Sequence, residues 1–207
     1  FLRDSAFLTE SQAILNDFLE KNWKVQSHHD LVIDKLASIK NVTPTDIVIN
    51  RLNTQSVIGK SFLEKVLFPF AGSYECQDDS SFLCENLATS EAFPASWGET
   101  NFGELKNNNA RYDKQDKMGP LAIAITVEDS RSAARLIVVG SSRWVKNQYG
   151  ALVTHSALVK KMLYWLLSQE EITSLVIDEQ AENPVIIGNS EFKLYTVFAF
   201  AIPLLFL

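Results

Sequence analysis

The chain predicts an α/β fold followed by the start of a C-terminal transmembrane helix, and three patterns carry that prediction. Two apolar runs, residues 121–127 (LAIAITV) and 135–139 (RLIVV), flank a polar turn. Runs that apolar, without alternation, are strands covered on both faces. Amphipathic helical patterns stand before and after them, and helices interleaved with apolar strands make a layered α/β core. The last fourteen residues, 194–207 (LYTVFAFAIPLLFL), carry no charge. Spanning a bilayer takes roughly 20 apolar residues, so this run reads as a membrane helix cut short. Pro203 is better tolerated there than in a buried helix or a central strand. A buried C-terminal strand or core helix is the alternative. Residues 1–192 then form the α/β domain and 193–207 open the membrane helix, with Lys193 and Tyr195 as interfacial anchors. Because Phe1 is not an initiator Met, the chain reads as the later part of a longer one.

Composition sets bounds on partners. The chain is 46% hydrophobic and 21% charged, as a core-forming domain should be. A net charge of -6 without a basic block argues against nucleic acid, whose binders need a basic footprint.

In chain order, Thr9-Glu10-Ser11-Gln12 reads as a capping box. It opens a helix to about Asn22 with Ile14, Leu15, Phe18 and Leu19 on one face. Residues 31–33 and 46–52 read as short strands, and 60–70 as a charged-apolar run. Residues 73–76 and 82–89 read as facing strands around a polar turn at Asp78-Asp79. Residues 90–117 form a polar excursion with a helical turn around 97–105. The two apolar strands follow, with Gly119-Pro120 before the first and Gly140 closing the second. A loop through Trp144 leads to a helix over 156–169, with Leu158, Met162, Trp165 and Leu166 on one face and Lys160 and Lys161 toward water. Residues 175–177 and 185–187 make a last strand pair.

Chemistry-bearing residues are few. Cys76 and Cys84 are spaced for a disulfide across a short loop in an oxidising compartment, or are two free core thiols. As a zinc site the pair lacks both CxxC spacing and further ligands. Gly140-Ser141-Ser142 follows an apolar strand, where open α/β sheets place ligand sites. Gly-Ser-Ser-Arg-Trp is not the G-x-S-x-G of a nucleophile elbow, so a structural turn or a ligand- or partner-contacting loop is expected rather than a catalytic serine. Trp97 and Trp144 stand in loop-like contexts, as contact anchors do. Adjacent histidines such as His28-His29 point to opposite faces of a strand, so they do not share a metal ion, and a loop or helix-edge role is expected for them and for His155. No phosphate loop and no dinucleotide fingerprint is present, and no cofactor or metal is predicted.

From Gly119 onward the order GPLAIAITVE, ARLIVVGSSRWVKN, a helix ending MLYWLLSQEE, a short strand pair and an apolar run resembles the extracytoplasmic domain of GldG-type proteins. These are auxiliary subunits of a class of ABC transporters first named for gliding motility. The segments 46–62 (DIVINRLNTQSVIGKSF) and 87–98 (LATSEAFPASWG) fit the same order, so the resemblance spans about 31–207. Where that family often reads Gly-Asp-Ser-Asp-Phe, this chain has Gly140-Ser141-Ser142-Arg143-Trp144, and its His-Pro pair is replaced near Thr54-Gln55-Ser56. Ligand roles of those family positions are therefore not carried over. The resemblance implies a Rossmann-like mixed sheet with flanking helices, related to modules of ciliary transport proteins. It also implies a non-catalytic domain on the periplasmic side of the cytoplasmic membrane, with an ABC-2-type permease and its ATPase as partners. Its expected contact surface is Trp97, Gly140, Ser141, Ser142, Arg143 and Trp144. A stand-alone glycan- or peptide-binding module is the alternative, ahead of an amidotransferase-like hydrolase.

Overall fold

The computed structural model describes residues 10–37, 42–106, 110–146 and 153–168. Its central element is strand β9 (Ala122–Asp129), and the strands around it are β1 (Val25–Ser27), β5 (Tyr74–Cys76), β6 (Phe82–Thr89) and β10 (Arg135–Val139). The first six residues of β9 are all buried, as the unbroken apolar run requires. β10 pairs along one edge of β9, from Arg135↔Glu128 to Val139↔Ala124. β6 pairs along the other, from Phe82↔Asp129 to Thr89↔Ala122, with a register shift around Leu87. β5 meets β9 at the single pair Tyr74↔Ala122 and carries β1 on its other side.

Two smaller sheets complete the strands. β2 (Leu31–Asp34), β7 (Ser96–Glu99) and β8 (Lys117–Met118) form one, in the order β2-β7-β8. β3 (Asp46–Ile49) and β4 (Val66–Pro69) form the other. Among the described residues the helices are α1 (Glu10–Trp23), a short α2 (Phe102–Lys106) and α3 (Val153–Leu166), with a 3-10 turn at Arg143–Val145.

The α/β class predicted from the sequence is thus present, but every strand pairing among the described residues is antiparallel. The parallel neighbours of a Rossmann-like order are not among them. The physical reason lies in the connections. β9 and β10 are joined by a five-residue polar turn, which returns the chain beside itself, whereas a parallel neighbour needs a long crossover. No helix among the described residues is long and apolar enough to cross a membrane. Lys193, Tyr195 and Pro203, together with the strand pair expected at 175–187, lie outside the described residues.

Apolar cores cover both faces of the β9–β10 pair. Ala124, Ile137 and Val139 belong to a larger cluster with Phe62, Phe68, Trp144, Leu158, Met162 and Trp165, so α3 and the β3–β4 pair cover that face. Ile125, Val127 and Val138 join Leu19, Val25 and Tyr74 under α1. The buried stripe of α1 differs from the one expected. Leu19 is buried with Leu15 and Trp23 packed beside it, while Ile14 and Phe18 are 67% and 49% exposed. An i, i+4 stripe through residues 15, 19 and 23 suffices to cover so narrow a sheet. On α3, Leu158, Met162 and Trp165 are buried as predicted, but Leu166 is 39% exposed and Lys161 is not a water-facing residue. Its ammonium donates to Ser61 Oγ at 2.8 Å, and burial pulls its pKa down.

Two side chains fix α3 in place. His155, 1% exposed, stands at 2.9 Å from the Trp144 carbonyl through Nδ1 and accepts the Leu67 N–H at Nε2, 3.3 Å. It is a core bridge and not the loop or helix-edge residue expected. At the other end, the Arg135 guanidinium donates to the Trp165 carbonyl (2.7 Å), lies over the Trp165 ring and pairs with Glu128 at 2.8 Å. A cation on the last carbonyls of a helix complements its dipole.

Gly140 ends β10 where its chain crosses Gly72. The Gly140 N–H donates to Ile123 and the Gly72 N–H donates to the Gly140 carbonyl. A Cβ at Gly140 would run into the Gly72 carbonyl, a backbone atom that cannot swing aside. Gly140→Ala is expected to cost at least about 2 kcal/mol of stability. Urea unfolding checks this, and an unchanged midpoint would show that the crossing is not constrained.

Candidate functional site

The structure divides the contact surface that the sequence predicts. Trp97 and Trp144 are 2% and 1% exposed, so neither indole is a surface anchor. Trp97 stands in β7, its Nε1 donating to Glu99 Oε2 at 3.3 Å with Lys35 over its ring. Trp144 packs on Phe68 and His155 in the larger core. Trp97 lies in a strand and Trp144 in a 3-10 turn, and the polar residues beside them in sequence mask the burial of both. Gly140 is committed to its backbone crossing. The Ser141 hydroxyl is buried, donates to the Pro69 carbonyl and accepts the Arg143 N–H, so it closes a turn. Ser142 and Arg143 remain half-buried at the surface, the guanidinium 4.1 Å over the Phe70 ring.

The polar cleft of this fold lies elsewhere. It measures about 480 Å³ and sits where the loop after β1, strand β5, strand β6 and the short β8 converge. Its chemistry comes from His28, Glu75, Asn86 and Lys117. β8 brings Lys117 in because it pairs with Gly98 of β7, while β5 carries Glu75 next to Cys76. Lys117 Nζ donates to Glu75 Oε2 at 2.8 Å and lies 2.6 Å from His28 Nε2, with Oε2 and Nε2 3.0 Å apart.

Nε2 meets both the Lys117 ammonium and the Glu75 carboxylate, and the ring N–H that its surroundings fix is the one on Nδ1. That N–H has its partner: Nδ1 lies 2.9 Å from Ser73 Oγ. The Ser73 hydroxyl passes its own proton on to Asp30 Oδ2 at 2.6 Å, and the Ser73 N–H donates to Asp30 Oδ1 at 2.8 Å. Asp30 and Ser73 are 1% and 0% exposed. Gly98 makes room for this relay, since a Cβ there would collide with the Asp30 carboxylate. A buried acid thus orients a hydroxyl, the hydroxyl orients an imidazole, and Nε2 is turned toward the cleft.

The electrostatics follow from the same contacts. Lys117, and His28 beside it, hold the Glu75 carboxyl below the usual carboxylate range. Across the neighbouring sheet the opposite happens to Glu99, whose pKa is pushed up by burial despite hydrogen bonds from the Asn101 N–H and the Trp97 indole.

Cys76 and Cys84 form a disulfide that walls the cleft, with Cα atoms 6.3 Å apart. The two half-buried cysteines pack against the core under α1. The strands they join are not hydrogen-bonded partners of each other, contrary to the facing-strand expectation. β5 is held chiefly by β1 and β6 by β9, and the disulfide supplies the link between them. His28 was visible in the sequence only as half of a His-His pair. Ser73, Glu75 and Lys117 carried no signal, because they lie 45, 47 and 89 residues away from it. Among the described residues, no group of three or more metal-ligating side chains comes together.

Two outcomes test this geometry. Glu75 has a folded pKa below its ordinary value, so its ionised form stabilises the fold above pH 4.5, and that contribution is lost as pH falls through the depressed value. The carboxylate is 58% exposed, which limits the effect to about 0.5–1 kcal/mol. Acid titration of unfolding free energy should show that loss in the native chain and not in Glu75→Gln, and equal slopes would remove the Lys117–Glu75 contribution. Replacing both cysteines by serine opens a loop whose ends are eight residues apart, and should lower the unfolding free energy by about 2.5 kcal/mol. Denaturation with and without a dithiol reductant checks this, and no difference would mean that the cross-link does not restrict the unfolded chain.

No family model matches this chain, and no curated protein matches it. Among solved structures it is similar to one described as the mmIFT52 N-terminal domain, with a TM-score of 0.50 and 13% sequence identity. That similarity covers 73% of this chain and 56% of the solved chain, so this chain spans little more than half of the structure it resembles. At such identity the likeness concerns the fold alone.

Proposed function

We propose that this chain is a non-catalytic binding module acting as the extracytoplasmic auxiliary subunit of an ABC-type transport system, beside an ABC-2-type permease and its ATPase. The observation that supports a binding role is the polar cleft, where Glu75, Lys117, His28 and Asn86 converge in a volume typical of small-ligand sites. The state of Ser141 supports a non-catalytic reading of the loop after β10, since its hydroxyl is already committed to the Pro69 carbonyl. The transport assignment rests on the ordered resemblance to GldG-type proteins across residues 31–207. In this reading a C-terminal membrane helix holds the domain at high local concentration beside the permease. The cleft offers a ligand to the complex, and the half-buried Ser142 and Arg143 lie on the face that meets it.

A stand-alone tethered receptor is the second reading, favoured by the same cleft. Affinity capture of the full-length protein from membranes in mild detergent separates the two. Recovery of a permease and an ATPase is expected, reduced severalfold in Arg143→Ala while the domain stays folded. Recovery of the protein alone from the membrane would favour the receptor, and recovery from the soluble fraction would overturn the anchor.

A further inference from the structure

We infer that the cleft between β5, β6 and β8 takes a neutral polyhydroxylated ligand, a saccharide, rather than an anion, a cation or a peptide. The inference deepens the binding-module reading and rests on it. Its first ground is charge. Among the described residues that line the cleft, Glu75 and Lys117 are the formally charged ones, and they are paired with each other at 2.8 Å. The site therefore has no surplus charge to offer. An anion drawn to Lys117 meets the Glu75 carboxylate beside it, and a cation drawn to Glu75 meets the ammonium. Sites built for simple ions instead carry an excess of one sign.

The second ground is the direction of the hydrogen bonds. Both contacts to Glu75 fall on Oε2, and among the described residues Oε1 receives none. Lys117 spends two of its three N–H donors, and the exposed Asn86 amide makes no hydrogen bond among the described residues, leaving it a donor and an acceptor. The cleft thus presents, among the described residues, an open acceptor, an open donor and an amide that is both. A hydroxyl is itself both donor and acceptor, so a pair of neighbouring hydroxyls satisfies this edge without a net charge. A peptide backbone, with its donors and acceptors on alternate sides, asks instead for an open strand edge.

The third ground is preorganisation. Asp30 and Ser73, both buried, hold the His28 ring through its Nδ1–H, and the Cys76–Cys84 disulfide fixes the wall next to Glu75. Exposed Met118 and Pro120 supply apolar surface for the C–H face of a sugar ring. Asp30 and Ser73 are positioning residues here. Glu75, Lys117 and Asn86 are the groups that touch the ligand, and His28 stands behind them against Lys117 and Glu75.

The test is a titration of the full chain, disulfide intact, followed through the His28 ring and Lys117 side-chain NMR resonances. The probes are maltotriose and chitotriose, inorganic phosphate, spermidine, and an N-acetylated tripeptide amide. Saturable shifts of both side chains with a neutral trisaccharide are expected. The affinity should change less than about twofold between low and high salt, because no net charge is neutralised. Lys117→Met and Glu75→Gln should each weaken it about tenfold or more, with the backbone amide spectrum showing that both remain folded. Ser73→Ala should weaken it less and move the His28 Nδ1 resonance, because that hydrogen bond is lost. Shifts with phosphate, spermidine or the tripeptide but with neither saccharide would overturn the saccharide inference and leave the binding module standing. No shift with any probe would overturn both.

Discussion

Burial of β9 on both faces and along both edges is the constraint from which the rest of this domain follows. An extended strand in an apolar interior must hydrogen-bond every N–H and C=O, because an unpaired one costs as much as a lost hydrogen bond with nothing in return. β6 and β10 meet that demand on the two edges. The side chains impose a second demand, since Ala124 and Ile125 face opposite ways and both are fully buried. One layer must cover each face. α1 covers one, and α3 with the β3–β4 pair covers the other.

The cleft arises at the end of β9 where that arrangement runs out. β10 stops at Gly140, and β5 touches β9 only at Tyr74. Beyond this point the strands diverge, and the space between them is filled by polar side chains from four separate segments. Such a gap would weaken the fold if its polar groups were left unpaired in the interior. The Asp30–Ser73–His28 relay avoids that by giving each buried group a partner, and the Lys117–Glu75 pair closes it toward solvent. The disulfide ties β5 to β6 on the same side, a link the hydrogen bonds do not make. Stability and site geometry are therefore served by the same few contacts, and Glu75 Oε1 and the Asn86 amide keep open hydrogen-bonding capacity at the cleft.

Aromatic placement shows how context reverses a local reading. Trp97 and Trp144 sit among serines, glycines and charges, surroundings that belong to loops. The tertiary structure buries both because the segments around them are backbone-paired. The β7 strand is fully buried between β2 and β8, and the 3-10 turn after Gly140 drops Trp144 onto Phe68 and His155. Polar neighbours there are partners for buried groups, as Glu99 is for the Trp97 indole, and not signs of solvent.

The sequence by itself determined the elements whose patterns are local. The apolar runs at 121–127 and 135–139, the short polar turn that makes them antiparallel neighbours, and the face of α3 carrying Leu158, Met162 and Trp165 all follow from periodicity among near residues. It also brought Cys76 and Cys84 within reach of each other, leaving bond or free thiols undecided. Tertiary structure decided the bond, the sheet order, the buried stripe of α1 and the whole candidate site. His28, Ser73, Glu75 and Lys117 come from separate segments, and no periodicity in the chain records which loop ends will converge. Hydrophobic patterning encodes what each residue does within its own element. A polar site is encoded in pairings between elements, which exist only once the chain has closed around β9.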